Sequence, residues 1–481
     1  MFDGDLLAER ARITPGKAAL VVVETGKRLT YADLDAQAAA AAGYLQSLGI
    51  AAGDRVGIPG ENRPEFLALF FGCLKIGAIA VPLSTRATDH EREQIADDCA
   101  MKLTVPLDSF VWRGLSSPRP GARAESPRHT GDDAIACLLY TSGTTGKPKG
   151  VMIPLRQLWW NGYNTVVNWD LRFDDISPLY TPIYHAGGLA AFTIPICCAG
   201  GTMVLHRGFN PSDVWQTIEK EHCTVVLGVP TIWKMLMDAP EFAAADLSRV
   251  RWFISGGAPL PQYLIEAYQK RGVVFRQGYG MTEVGVNCFT MTNDDSFRKP
   301  GSIGKPMMFT EVRIVDGDGN DVGPNDVGEM WIRGPHVSAG YWNNEEATRA
   351  AYGDDGFFRT GDLARRDEEG YFTIAGRRKE MFITGGVNVY PAEIEGELVT
   401  HPRVSDAAVI AVADEKWGEV PVAFVVGDAT PVELASYLAE RIAKYKVPKR
   451  FVFLDALPRT PYGKVEKTKL EIPASGIRHP T

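Results

Sequence analysis

The run from Tyr140 to Gly150, Tyr-Thr-Ser-Gly-Thr-Thr-Gly-Lys-Pro-Lys-Gly, constrains this chain more than any other stretch. It follows an apolar run, Ala134 to Leu139, that reads as a strand. Glycines let backbone N–H groups turn toward an anion, hydroxyls add donors, and lysines add charge. The expectation is a loop that grips phosphate at the end of a strand. It is not a Walker A loop. Thr141 stands where the first glycine of GxxxxGK[ST] should be, and Pro148 follows Lys147 in place of Ser or Thr. Taken alone, such a cluster reads as readily as a flexible polar surface loop, so the rest of the chain has to decide.

A chain of 481 residues exceeds one ordinary core, and about two to four domains are expected. A 45% hydrophobic and 23% charged composition fits a soluble globular protein. The net charge of −8 and the lack of a long basic block argue against nucleic acid as a partner. The opening Met-Phe-Asp-Gly-Asp lacks the features of a signal peptide, and no apolar run approaches the ~20 residues that span a bilayer. Seven cysteines without C-x-x-C spacing suggest reduced thiols in a cytoplasmic protein. The eight histidines show no metal-ligand spacing.

Along the first half, helices and strands alternate. Thr30 to Leu48 reads as a helix, with Thr30 and Asp33 as a capping box and Gly49 as its stop. Arg55 to Ile58 reads as a strand, Pro64 to Leu74 as a helix, and Ala78 to Pro82 as a strand. Further strands are expected at Thr202–Leu205, Thr224–Gly228 and Val250–Ser255. This alternation predicts βα units on parallel-rich sheets. From about residue 300 the texture becomes β-rich, with short strands at Glu311–Val315, Gly328–Arg333 and Tyr371–Ile374. The last hundred residues read as a small α+β unit. Its strands are Ala407–Val412 and Val420–Val426, and its helix is Thr430–Tyr445, capped by Thr430, Pro431 and Glu433. The fold class expected is therefore α/β. It comprises a large N-terminal domain of parallel-rich sheets with helices and a β-rich subdomain, and a small C-terminal α+β domain.

Several glycine-punctuated segments share the character of the first loop. They are Ser255-Gly-Gly-Ala-Pro-Leu260, Gln277-Gly-Tyr-Gly-Met-Thr-Glu283, Thr360-Gly-Asp362, Gly376-Arg-Arg-Lys-Glu380 and Pro461-Tyr-Gly-Lys464. Each alone is a weak signal. In this order and spacing they resemble the adenylate-forming superfamily of acyl-CoA synthetases, peptide-synthetase adenylation domains and luciferases. The resemblance runs from Leu29-Thr30-Tyr31 to Lys464. It implies two half-reactions: a carboxylate attacks the α-phosphorus of ATP and expels pyrophosphate, and a thiol, usually that of CoA, then displaces AMP. The first step implies Mg²⁺ and fixed donors, because charge develops on phosphate oxygens.

The same resemblance implies roles for particular residues. Thr141, Ser142, Gly143, Thr144, Thr145 and Lys149 would hold the β- and γ-phosphates. Tyr279 would stack on adenine, with Gly256, Gly257 and Ala258 lining the base and Gln277, Gly278 and Gly280 completing that loop. Thr282 would donate to the α-phosphate, and Glu283 would bind Mg²⁺ as a hard oxygen ligand. Asp362 would accept from the ribose hydroxyls, and Arg377 would reach ribose or phosphate. Lys464 would be the movable point charge of adenylation. Lys379 would be the hinge between an N-terminal domain, 1–378, and a mobile C-terminal lid, 379–481. Gly385 and Gly386 would line the thiol tunnel after the lid rotates. His185, in Pro182-Ile-Tyr-His-Ala-Gly-Gly188, would sit beside the substrate carboxylate.

No aspartate stands near His185 to bind a substrate amine, and only seventeen residues follow Lys464. A free-standing ligase is therefore expected rather than a peptide-synthetase domain. Small residues at Ala186, Gly187, Gly256 and Gly257, with apolar Val229 and Val284, suggest a roomy pocket for a medium-chain, branched or aryl acid. The expected partners are that carboxylic acid and CoA, with no nucleic acid and no membrane span; self-association is left open. Two alternatives remain at this level: an enzyme passing the acyl group to another acceptor, such as a carrier protein, and a non-catalytic nucleotide-binding scaffold.

Overall fold

In the computed structural model the described residues are 5–109, 131–141, 148–459 and 465–472. The long N-terminal part is built on two largely parallel sheet systems. In one, Leu103–Thr104, Arg55–Pro59, Ile79–Leu83 and Ile135–Thr141 lie side by side in parallel, and Lys149–Pro154 closes the edge antiparallel. In the other, Val225–Gly228, Trp252–Ser255 and Phe275–Gln277 run parallel. Beside them lie Ile176–Leu179, Thr202–Leu205, Ala18–Val22 and Arg28–Thr30. Thr224 N–H donates to the Ile176 carbonyl at 2.8 Å, joining the two sets.

Local chemistry accounts for the elements. The Thr30 and Asp33 side chains cap each other's backbone, and Tyr31–Ser47 forms the expected helix. Its small face of Ala38, Ala41 and Ala42 lets the helix Pro64–Ile76 approach closely; a Cβ on Gly72 would lie 2.8 Å from the Ala41 Cβ. That second helix is buried from Phe66 to Ile76, so its near-continuous apolar sequence marks a core helix rather than a surface one.

The β-rich segment forms an antiparallel sheet, Glu311–Val315, Gly328–Arg333, Phe358–Arg366 and Phe372–Arg377. From Phe382 onward a further sheet has its own apolar core, including Phe382, Ile394, Val409, Val425 and Phe451. Its strands are Val387–Val389, Phe382–Thr384, Gly418–Gly427 and Val404–Asp414, with Arg450–Phe453 added in parallel.

The expected helix Thr430–Tyr445 is shorter than its pattern suggested. It runs Pro431–Ala439 with the Thr430–Glu433 capping box intact. The chain then tightens into a 3₁₀ turn at Lys444–Lys446. Pro448 disfavours helix at the residue before it, and Lys446 Nζ is held by both Glu393 oxygens at 2.6 and 2.7 Å. The stretch Pro106 to Asp132, whose Pro-, Arg-, Ser- and Gly-rich sequence reads as an irregular surface segment, lies mostly outside the described residues. All seven cysteines are buried thiols without disulfides. Among the described residues no helix is long and apolar enough to cross a membrane.

Candidate active site

The carboxyl ends of the parallel strands Val225–Gly228, Trp252–Ser255 and Phe275–Gln277 open onto two glycine loops, where open α/β sheets take ligands. Gly256 N–H donates to the Gly228 carbonyl at 3.1 Å, and Gly278 N–H to the Ser255 carbonyl at 2.8 Å. These bonds place Gly256–Ala258 beside Gly278–Gly280. Gly257 has φ of +82°, and a Cβ on Gly256 would meet nothing within 4 Å, so that side of the loop faces open space. Gly280 is the opposite case. A Cβ there would lie 2.3 Å from the Val286 backbone, so only glycine lets the chain double back at this point. Gln277 Oε1 accepts from Leu260 N–H at 3.1 Å and fixes the first loop.

Tyr279 meets the antiparallel sheet here. Its hydroxyl donates to Asp362 Oδ2 at 2.5 Å, and its ring stands edge-on to Phe289 at 5.7 Å. Asp362 and Arg377 are register partners on neighbouring strands, and Arg377 Nε donates to Asp362 Oδ1 at 2.6 Å. Asp362 is buried. Burial first, and then the adjacent Asp362 carboxylate, push the Tyr279 phenol up.

Thr282 and Glu283 occupy a buried 3₁₀ turn, Thr282–Val284. Glu283 Oε1 accepts from the Tyr341 hydroxyl at 3.0 Å. Burial raises the Glu283 carboxyl above its ordinary range. Among the described residues no three His, Cys, Asp or Glu side chains cluster as a metal cage. A single hard, buried carboxylate nonetheless fits Mg²⁺, which is commonly held by one or two carboxylates with substrate phosphates completing the shell.

Thr141 and Lys149 are register partners at the loop end of an antiparallel hairpin. The glycine loop thus joins two strands, where a P-loop joins strand to helix; this is the physical reason the Walker spacing fails. Lys149 Nζ lies 5.4 Å from the centre of the Tyr341 ring. Ser142, Gly143, Thr144, Thr145 and Lys464 lie outside the described residues.

His185 caps a short helical turn, its Nδ1 accepting from Gly187 N–H at 3.1 Å. Its packed surroundings push the ring down to about 4, so it is neutral near pH 7. Ala186 beside it shares a small cavity with Gln157, Thr282 and Gly285. Lys379 is exposed on the turn after Arg377. Gly385 and Gly386, with φ of +58° and +83°, close the hairpin between Phe382–Thr384 and Val387–Val389. Both positive values are what a two-residue hairpin turn requires. Gly385 N–H donates to the Trp417 carbonyl at 2.9 Å, within its own sheet and apart from Tyr279 and Glu283.

Four contributors were missed from sequence: Gln157, His336, Ser338 and Tyr341. Three of them share the glycine-bounded segment Gly334-Pro-His-Val-Ser-Ala-Gly-Tyr341; Gln157, in the helix Leu155–Trp169, has no such local signal.

The chain belongs to the AMP-binding enzyme family, the adenylate-forming acyl-CoA ligases. The family's main model matches residues 7–342, and the AMP-binding enzyme C-terminal domain matches residues 393–464. It is similar to a feruloyl-CoA synthase of Amycolatopsis, at 39% identity over 96% of this chain and 97% of the relative. It is also similar to the long-chain-fatty-acid–CoA ligase FadD13 of Mycobacterium tuberculosis, at 38% identity over 97% of each. The o-succinylbenzoate CoA synthetase of Bacillus subtilis, solved with its acyl-adenylate intermediate, superposes with a TM-score of 0.88 at 32% identity, covering 98% of both chains.

Proposed function

We propose that this chain joins an aromatic carboxylic acid to CoA, converting ATP to AMP and diphosphate. The observation that carries the reading is the joint at Asp362, whose carboxylate meets the Tyr279 hydroxyl and the Arg377 guanidinium near the buried Glu283. In the first half-reaction a carboxylate oxygen bonds to the α-phosphorus and the bond to the β-phosphate bridge breaks. In the second the CoA sulfur bonds to the acyl carbon, the acyl–AMP bond breaks, and the thiol proton leaves. Tyr279 stacks the base, Asp362 and Arg377 hold the ribose, and Thr282 donates to the α-phosphate. Mg²⁺, when bound with ATP at Glu283, neutralises phosphate charge. Neutral His185 turns its ring toward the substrate carboxylate.

An aromatic acid is favoured because the feruloyl-CoA synthase is named for a ring-bearing acid, and the open space at Gly256 suits a flat ring. A fatty acid is the second reading, carried by the 38% identity to FadD13. The test is pyrophosphate release from ATP and Mg²⁺ across benzoate-type, cinnamate-type, indole-bearing and straight-chain C2 to C16 acids, with and without CoA. Turnover highest for ring-bearing acids and dependent on CoA supports the reading. Turnover confined to straight chains moves it to the fatty acids, and turnover indifferent to CoA replaces the acceptor.

We further propose that the lid begins at Lys379 and that the Gly385–Gly386 hairpin lines the thiol path in the second half-reaction. A Cβ at Gly385 would lie 3.0 and 3.2 Å from the Trp417 ring at an unfavourable φ, so the hairpin must shift to accept it. Gly385→Ala is expected to slow thioester formation by about tenfold while pyrophosphate release without CoA stays near wild type. Single-turnover assays of the two steps check this; equal loss in both would remove the assignment.

A further inference from the structure

The 3₁₀ turn Thr282–Val284 presents three consecutive backbone carbonyls, and each meets a donor from elsewhere in the chain. Gln157 Nε2 donates to the Thr282 carbonyl at 2.8 Å. Ser338 N–H donates to the Glu283 carbonyl at 2.7 Å. His336 Nδ1 meets the Val284 carbonyl at 2.5 Å. A carbonyl cannot donate, so Nδ1 carries the proton and the tautomer is fixed. Nε2 is then an acceptor, and the Thr310 hydroxyl lies 2.9 Å from it. Asn164 Nδ2 in turn donates to Thr310 Oγ1 at 3.2 Å. The imidazole is fully buried, and burial lowers its proton affinity.

The third carbonyl matters most. Val284 precedes Gly285, whose φ is +70°, and a peptide flanked by glycine rotates more easily than its neighbours. Its other contact is the Cys288 thiol at 3.3 Å, a weak donor. His336 itself is held from behind. Arg156 Nη1 donates to the Pro335 carbonyl at 2.5 Å and to the Val337 carbonyl at 2.9 Å. The same segment then pairs with the edge of the phosphate hairpin: Ala339 N–H donates to the Met152 carbonyl at 3.0 Å, and Trp342 N–H to the Gly150 carbonyl at 2.8 Å. One stretch, Pro335 to Trp342, thus touches both the turn bearing Thr282 and Glu283 and the strand bearing Lys149.

We infer that His336 is a positioning residue for adenylation: through the Val284 carbonyl it sets the direction in which Thr282 and Glu283 meet ATP and its metal. The inference rests on the proposed role of that turn. It touches no reacting atom, and its effect is transmitted through one hydrogen bond.

Two substitutions of like chemistry separate this role from simple packing. His336→Asn places an amide N–H where Nδ1 stands and keeps the donor to Val284 while losing Thr310. His336→Gln reaches the Nε2 position and keeps Thr310 while losing the donor. Pyrophosphate release as a function of Mg²⁺, thioester formation from supplied acyl-adenylate, and thermal melting are measured for both. His336→Asn is expected to hold adenylation within about threefold, and His336→Gln to lower it or its Mg²⁺ affinity about 10- to 100-fold, as loss of an outer-sphere support does. Thioester formation should change less than about threefold in either, because only the adenylation geometry is altered. Equal adenylation in the two variants, or equal loss in both half-reactions, overturns the inference. Glu283→Gln in the same assay separates the layers. If it leaves adenylation intact, the role of the turn has failed; if it abolishes adenylation while His336→Gln does not affect it, only the role of His336 has failed.

Discussion

Replacing Glu283 by glutamine is expected to lower pyrophosphate release at least ~100-fold and to leave the melting temperature unchanged or higher, since charge stabilisation of a transition state by one fixed group is worth about 2.7–4 kcal/mol. Activity and stability diverge because of where the carboxylate sits. It is 7% exposed, and burial raises its pKa above the ordinary glutamate value. A carboxyl raised on folding stabilises the fold fully below its unfolded pKa. That contribution is lost as pH rises through the folded pKa, so at neutral pH the charge is a cost. Glutamine removes the charge, keeps the shape, and can still accept from the Tyr341 hydroxyl. The wild-type enzyme should accordingly gain adenylation rate as pH rises through a value above the usual glutamate range, and the variant should lose that limb. Chemical or thermal melting beside a pH–rate profile checks both parts. A clear fall in melting temperature would mean that Glu283 is a structural acceptor. An unchanged rate would remove it from the chemistry.

Where local rules govern, the sequence was legible. Thr30 with Asp33, and Thr430 with Glu433, form the capping boxes expected of them. The strands Glu311–Val315 and Gly328–Arg333 carry the expected bounds because turn residues flank short apolar runs. The end of the second capped helix was not legible. Its helical texture continues past Ala439, but the chain beyond is held instead in a 3₁₀ turn with Lys446 tied to Glu393, a residue of another helix. Composition alone suggested that the glycine loop binds phosphate, whereas the pairing of Thr141 with Lys149 on either side of it has no signal in the spacing. The candidate site divides in the same way. Tyr279 and Asp362 sit in glycine-marked segments and could be named. Gln157, His336 and Tyr341 reach the Thr282–Val284 turn over sequence separations of 125, 52 and 58 residues. A buried histidine bonded to a carbonyl looks, in sequence, like any core histidine. Only the fold distinguishes one that packs from one that aims a neighbour.

Replacing Lys464 by alanine is expected to lower pyrophosphate release ~100- to 1,000-fold while thioester formation from supplied acyl-adenylate stays within about threefold, since one lost donor to developing charge costs that much in a water-excluded site. The asymmetry follows from the chemistry. Adenylation brings a carboxylate toward an anionic phosphate, and a compact ammonium offsets the repulsion between them. In thioester formation AMP departs from a neutral acyl carbon, and that need is gone. The chain on either side of this lysine is anchored. Arg459 and Val465 form a bridge, and Lys467 Nζ lies 2.7 Å from both Glu380 and Glu395, so the segment is tied to the turn that follows Lys379. On the proposed hinge, rotation about Lys379 would carry Lys464 with it, so that one residue would serve one half-reaction and be absent from the other. Rapid-quench measurement of each half-reaction separates the outcomes. Loss confined to adenylation supports a lid that exchanges Lys464 for the Gly385–Gly386 hairpin. Equal loss in both steps would mean that the lysine holds AMP throughout and that no exchange takes place. No loss in either would remove Lys464 from the chemistry of both steps.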